Sequence, residues 1–286
     1  MTVAGVVAPA FDAATAPDRD PAAGAIVATG LTRRFGTLTA VDQVDLAVRD
    51  GEIFGLLGSN GAGKSTLMKM LATLLPPTSG TARVAGYDIV RSAAEVRRHI
   101  GYVPQLLSAD AALTAYENLR LSAKLYGVSP VEREARIDET LRFMGLVESA
   151  RRLVRTFSGG MVRRLELGQA MLHRPSVLFL DEPTIGLDPL ARHAVWDRLR
   201  ELQRDRGMTV LINTHDMEEA EVLCGRIAIL HAGRTAVVGA PAGLREGLGR
   251  TATMDDVFAH YVGVGWGESG DLAAVAALRR TARRLG

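Results

Sequence analysis

The stretch Ile53-Phe-Gly-Leu-Leu-Gly58-Ser59-Asn60-Gly61-Ala62-Gly63-Lys64-Ser65-Thr66 decides how the rest of the chain is read. Residues 53–57 have the length and apolar character of a buried strand, and 64–75 carry a helical pattern that Pro76 and Pro77 end. Between them, Gly58 to Ser65 matches G-x-x-x-x-G-K-[ST], a pattern expected by chance roughly once in three hundred chains of this composition. Strand, glycine-rich loop and helix start make a cradle for a triphosphate. Side chains would hold the phosphates away from the backbone N–H groups, and the loop needs angles that glycine reaches most easily. Lys64 then supplies a point charge to the β- and γ-phosphates, Ser65 a hydroxyl to Mg²⁺, and the helix its positive end. Gly58, Ser59, Asn60, Gly61, Ala62, Gly63, Lys64, Ser65 and Thr66 are the candidate phosphate-contacting residues.

Further along, Val177-Leu-Phe-Leu-Asp181-Glu182-Pro183 is an apolar strand that delivers two adjacent carboxylates at its C-terminal end. Parallel sheets place their ligands there. Asp181 is expected to hold Mg²⁺ and Glu182 to polarise an attacking water; a capping Asp-Glu before a proline is the bland alternative. Phe157-Ser158-Gly159-Gly160-Met161 offers a helix start that either binds an anion through its N–H groups or is an ordinary N-cap.

Composition sets the limits. The chain has 286 residues, 47% hydrophobic, and a net charge of +2, too near neutral for a protein that lives on a nucleic-acid backbone. Its single cysteine, Cys224, cannot form an internal disulfide and fits a reducing compartment. No apolar run approaches the ~20 residues needed to cross a bilayer. Residues 1–24, rich in Ala, Pro and Asp, read as a disordered tail. The segment 25–48 alternates like an antiparallel layer, 113–154 is helical with breaks near Gly127, Pro130 and Gly145, and the apolar runs 177–180, 210–213 and 227–230 alternate with helices as in a parallel sheet. Near the C-terminus, 254–262 reads as helix. In 271–285, Leu272, Val275, Leu278, Ala282 and Leu285 share a helical face beside Arg279, Arg280, Arg283 and Arg284. Those cations suit a helix C-terminus, or a membrane surface or partner.

Taken in order, these motifs resemble the ABC-type ATPases over about 25–238. Ser158-Gly159-Gly160 is similar to that family's signature sequence, which faces the γ-phosphate of an opposite subunit. The resemblance extends to Gln105 in Tyr-Val-Pro-Gln, which looks like the family's glutamine that touches Mg²⁺ and the attacking water. It also covers Asp188 in Gly-Leu-Asp, on the loop that crosses a dimer interface, His215 in Thr-His-Asp, at the γ-phosphate, and Phe35 in Arg-Arg-Phe-Gly, against adenine. Ser59, Met161 and Ile185 depart from the family's usual proline, glutamine and small hydroxyl residue, and none removes a group assigned to phosphate, metal or water.

The resemblance implies an α/β P-loop NTPase fold of the ABC type, with an antiparallel β subdomain and an inserted helical subdomain at about 106–157. The ATPase domain would span 25–239, followed by an extension at 240–286. It further implies ATP as substrate, Mg²⁺, catalytic roles for Glu182, His215, Gln105 and Lys64, and metal contacts from Ser65, Gln105 and Asp181. A homodimer, or a heterodimer with a related chain, would work with a separate membrane permease at the cytoplasmic face of the cell membrane. Ser-Gly-Gly-Met followed by Arg-Arg-Leu-Glu-Leu, with Asp255 to Phe258 near the C-terminus, looks like the drug-resistance exporters of the ABC-2 group. An importer ATPase, or a non-transport ABC machine acting on ribosomes or DNA, is the alternative. Two cassettes in one chain or long coiled-coil inserts would mark the latter, and neither is seen.

Overall fold

The computed structural model describes residues 24–249 and 251–263. The expected N-terminal tail, apart from Gly24, and the arginine-rich helix at 271–285 lie outside the described residues.

The chain opens with two long antiparallel strands, β1 (Ile26–Phe35) and β2 (Leu38–Val48), joined at the Gly36 turn. Then come β3 (Ile53–Gly58) and α1 (Lys64–Leu71), followed by β4 (Ser79–Val84) and the two-residue β5 (Tyr87–Asp88). The next elements are α2 (Ala93–His99), β6 (Ile100–Val103), α3 (Ala115–Leu125), α4 (Pro130–Phe143) and α5 (Gly159–Met171). Alternation resumes with β7 (Val177–Asp181), α6 (Pro189–Arg206), β8 (Thr209–Asn213), α7 (Met217–Leu223), β9 (Arg226–His231) and β10 (Arg234–Gly239). Two helices, α8 (Pro241–Leu248) and α9 (Met254–Gly263), follow.

The strands form two sheets. One is antiparallel with order β2-β1-β4-β5; the other has order β10-β9-β3-β8-β7-β6 and is parallel from β9 to β6. Successive side chains of a strand point to opposite faces, so the continuous apolar runs of β3, β7 and β8 feed two cores at once. Phe54, Leu56, Phe179 and Leu211 join the cluster that contains β1, β2 and α1. Ile53, Leu57, Leu178, Leu180, Val210 and Ile212 join the cluster that holds Leu119, Ile137, Leu165 and Trp196 of the helices. Phe179 is fully buried, and truncating it to alanine would cost about 3–5 kcal/mol.

The helical segment after β6 begins firmly. Thr114 caps α3, its hydroxyl accepting from Glu117 N–H while the Glu117 carboxylate accepts from the Thr114 backbone, a reciprocal capping box. Gly127 (φ +70°) ends that helix and Pro130 starts α4. One expected boundary shifts. Helix α1 stops at Leu71 rather than at residue 75, because Thr73 takes a left-handed conformation (φ +60°) and the Leu74 and Leu75 N–H groups fold back onto the Lys69 carbonyl. Helix α5 starts directly after Ser158, which caps it.

Candidate functional site

The parallel order β9-β3-β8-β7 puts the C-terminal ends of β3, β8 and β7 side by side, and the phosphate loop, Asn213 and the acid pair leave from those ends. A cavity of about 360 Å³ opens there, lined by Phe35, Leu38 and Ala40, by residues 60–66, and by Gln105, Glu182 and Asn213. Chain segments far apart in sequence thus share one wall.

Gly63 caps α1 with φ +99°, and a Cβ there would lie 2.3 Å from the Ala40 carbonyl oxygen. Only glycine fits. Lys64 is buried, and its ammonium donates to the carbonyls of Gly58 (2.8 Å) and Ser59 (3.1 Å). Burial lowers its pKa, opposed by the nearby charges of Glu182 and Asp181. Ser59 takes part through its backbone carbonyl, which also accepts from Ala62 N–H, so the side-chain departure at this position leaves these contacts intact. The Ser65 hydroxyl reaches the Asp181 carboxylate at 3.4 Å. The Tyr102 phenol is pushed up to about 12, first by burial and then by the nearby Asp181 carboxylate.

Glu182 has φ +53°, a region that costs a residue other than glycine about 1–3 kcal/mol and that clusters at active sites. Its N–H donates to Asn213 C=O at 2.9 Å, which holds the turn. Its carboxylate accepts from His215 Nδ1 at 2.7 Å. The carboxylate is nearly buried and the imidazole about half exposed, so the pair runs from cavity wall to surface. Phe35 is not a core aromatic: it is 44% exposed at the cavity mouth, with Arg33 stacked 4.6 Å from its ring.

The remaining predicted residues lie elsewhere. Ser158 and Gly159 are exposed and do not line the cavity. Ser158 caps α5 by accepting from Met161 N–H at 3.3 Å, and Asp188 caps α6 by accepting from Ala191 N–H at 2.9 Å. Gly160 packs so closely on α6 that a Cβ would sit 2.6 Å from that of Ala191. Signature segment and Asp188 loop therefore form one face, apart from the cavity.

Three groups near the site escaped the sequence reading. Arg163 and Glu166, both buried, pair at 3.0 Å. Arg163 donates to the carbonyls of Pro104 (2.9 Å) and Gln105 (3.1 Å), and Glu166 accepts from Ser108 and Ala109, so the Gln105 loop is fastened to α5. Their three-residue spacing fits an ordinary surface pair; the apolar neighbours Val162, Leu165 and Leu167 were the available sign of burial. Buried Glu219 accepts from Thr184 (2.7 Å) and Trp196 (3.0 Å), joining the loop after Glu182 to α6, and burial raises its pKa. Asn213 is the third.

A phosphate cradle, a carboxylate beside the loop serine and a strained glutamate paired with histidine, set at parallel strand ends, define a P-loop nucleoside-triphosphate hydrolase. Residues 41–185 match the family described as ABC transporter. The chain is 41% identical over 222 residues to the linearmycin resistance ATP-binding protein LnrL of Bacillus subtilis (strain 168), covering 78% of this chain and 71% of that one. It is 44% identical over 212 residues to Nod factor export ATP-binding protein I of Paraburkholderia xenovorans (strain LB400), covering 74% and 69%. A dimeric post-hydrolysis structure of the ATP-binding cassette MJ0796 bound to ADP and Pi superposes with a TM-score of 0.67 at 27% identity, covering 75% of this chain and 98% of that one. The chain belongs to the ABC transporter family, as its ATP-binding, ATP-hydrolysing subunit.

Proposed function

We propose that this subunit powers an export permease of the drug-resistance type from the cytoplasmic face of the cell membrane. Relatives named for antibiotic resistance and for export support that direction. Among the described residues no helix is long and apolar enough to cross a membrane; in this reading the conduit is supplied by a partner. Leu106 (82% exposed) and Leu107 (58%), next to Gln105, offer apolar surface to such a partner.

In this reading Lys64 and the N–H groups of residues 58–66 bind the β- and γ-phosphates, and Phe35 stacks on the adenine. The oxygen donors near the loop fit Mg²⁺: one carboxylate (Asp181), one hydroxyl (Ser65) and the Gln105 amide, with phosphates and water completing the set. Bound there, the ion would neutralise charge that builds on the phosphates. Glu182 is the general base, its carboxylate oriented by His215, and it takes the proton of the attacking water. Ser158, Gly159, Gly160 and Asp188 serve the nucleotide of a second subunit, identical or related, as their separation from the cavity and the dimeric relative suggest. The functional unit is then residues 25–239, with 106–157 as the helical insert and 240–286 as an extension.

The single observation that carries this reading is Glu182 on the cavity that the phosphate loop lines, its carboxylate paired with His215 at 2.7 Å. The test is to purify the tagged full chain with its membrane partner, reconstitute both in vesicles, and measure phosphate release together with ATP-driven movement of amphiphilic drugs. Lys64→Ala should abolish both. Hydrolysis without export of any tested compound would overturn the drug-resistance reading, and import would reverse its direction.

A further inference from the structure

Asn213 sits at the end of β8, the strand between β3 and β7, in register with Leu56 on one side and Asp181 on the other. It is 1% exposed and lines the cavity. Its Nδ2 donates to Ser65 Oγ at 3.1 Å and to Asp181 Oδ1. Turned over, the amide would set its oxygen against the Asp181 carboxylate, two acceptors in contact, so this orientation is the satisfied one. It leaves Oδ1 buried without a hydrogen-bond partner from the chain.

An orphaned buried acceptor is destabilising, and at a ligand site the missing donor is supplied by what binds. The phosphate oxygens of Mg-bound ATP are themselves acceptors. Water can donate, and Mg²⁺ keeps several of its waters, whose hydrogens the ion makes stronger donors.

We propose that Asn213 reads the hydrated metal ion: Nδ2 holds Ser65 and Asp181 in place, and Oδ1 accepts a hydrogen from a metal-bound water. The inference rests on the reading of Ser65 and Asp181 as metal-holding residues. It makes Asn213 a positioning residue for metal and water, a role distinct from proton transfer.

The test uses the full chain, a β,γ-imido ATP analogue and Mn²⁺ as probe, with free Mn²⁺ read by electron paramagnetic resonance and protein in excess over nucleotide. Asn213→Leu, similar in shape but apolar, should weaken Mn²⁺ binding roughly tenfold or more while analogue binding in EDTA changes little. Asn213→Asp keeps an oxygen acceptor and should hold Mn²⁺ at least as well as the native chain, even if it is less stable without metal. Unchanged Mn²⁺ affinity in Asn213→Leu overturns the proposal, as does an equal loss of analogue binding in EDTA or an equal loss in Asn213→Asp. Asp181→Asn is the separate control. If that substitution also leaves Mn²⁺ binding unchanged, the metal assignment itself fails, and this inference with it.

Discussion

The cavity and the Ser158–Asp188 face are built by opposite means. Around the cavity, most polar groups are buried and all are tied to one another: Lys64 to loop carbonyls, Ser65 and Asn213 to Asp181, Glu182 to the half-exposed His215. On the Ser158–Asp188 face, both name-giving side chains are spent on capping their own helices and are otherwise exposed. A buried network is preorganised before ligand arrives, whereas a capped and exposed helix start keeps its N–H groups available to something outside the chain. The contrast supports a division of labour in which one region does chemistry within the subunit and the other serves a second subunit.

The largest effect expected on the first region comes from Glu182→Gln. It keeps size and hydrogen bonding but removes the base, so turnover at saturating ATP should fall about 10²–10⁴-fold with nucleotide affinity retained. Phosphate release set beside equilibrium titration checks this, and near-native turnover would return Glu182 to the bland role of a turn residue.

Arg163 and Glu166 join the two regions, since α5 carries Ser158 at its start and grips the Gln105 loop through this pair. Arg163→Met leaves Glu166 buried without its counter-ion, held only by the Ser108 and Ala109 hydrogen bonds, which should cost about 3–5 kcal/mol in urea unfolding. Adding Glu166→Leu should recover most of that stability. The double variant should still hydrolyse more slowly, because the Gln105 loop is no longer fastened. A double variant with native turnover would show that the pair serves stability alone.

Ser158→Asp tests the outward face without harming its helix, since aspartate caps as well as serine. Its charge would oppose a γ-phosphate brought by a partner, so ATP-driven dimerisation and turnover should drop roughly tenfold, about 1.4 kcal/mol, while a single chain binds ATP as before. Light scattering with and without ATP decides the matter. A variant that still dimerises would place the signature segment outside the interface.

How much of this was legible follows the same division. The phosphate loop, the acid pair and the Ser158 cap are local: spacing along the chain fixes their geometry, and the sequence carries the spacing. The alternation of apolar runs also disclosed a parallel sheet, because strands buried on both faces read as unbroken apolar segments. Asn213, Arg163–Glu166 and Glu219 depend on which strands and helices become neighbours. Asn213 bonds residues 32 and 148 positions away, a distance over which no periodicity speaks. The early stop of α1 was hidden for another reason: Leu74 and Leu75 continue the apolar pattern after the backbone has already turned at Thr73.

The smallest effect separates stability from chemistry altogether. His173, at the far end of α5, stacks on Tyr126 with ring centroids 3.9 Å apart and donates through Nε2 to the Ile100 carbonyl at 2.9 Å. Its Nδ1 is buried without a partner, and burial pushes its pKa down to about 4 from 6.5. Because the folded value lies below the unfolded one, the unfolded chain takes up a proton first as the pH falls. The stability this neutral imidazole contributes is complete above pH 6.5 and is lost progressively between about 6.5 and 4. His173→Phe keeps the stack, forgoes the hydrogen bond and does not titrate. It should therefore be somewhat less stable than the native chain at pH 7.5 yet show a flatter loss of urea midpoint toward pH 5. Parallel pH dependences in the two proteins would locate the acid sensitivity in another group, and ATP turnover per folded molecule should be the same in both, since His173 touches neither the cavity nor the outward face.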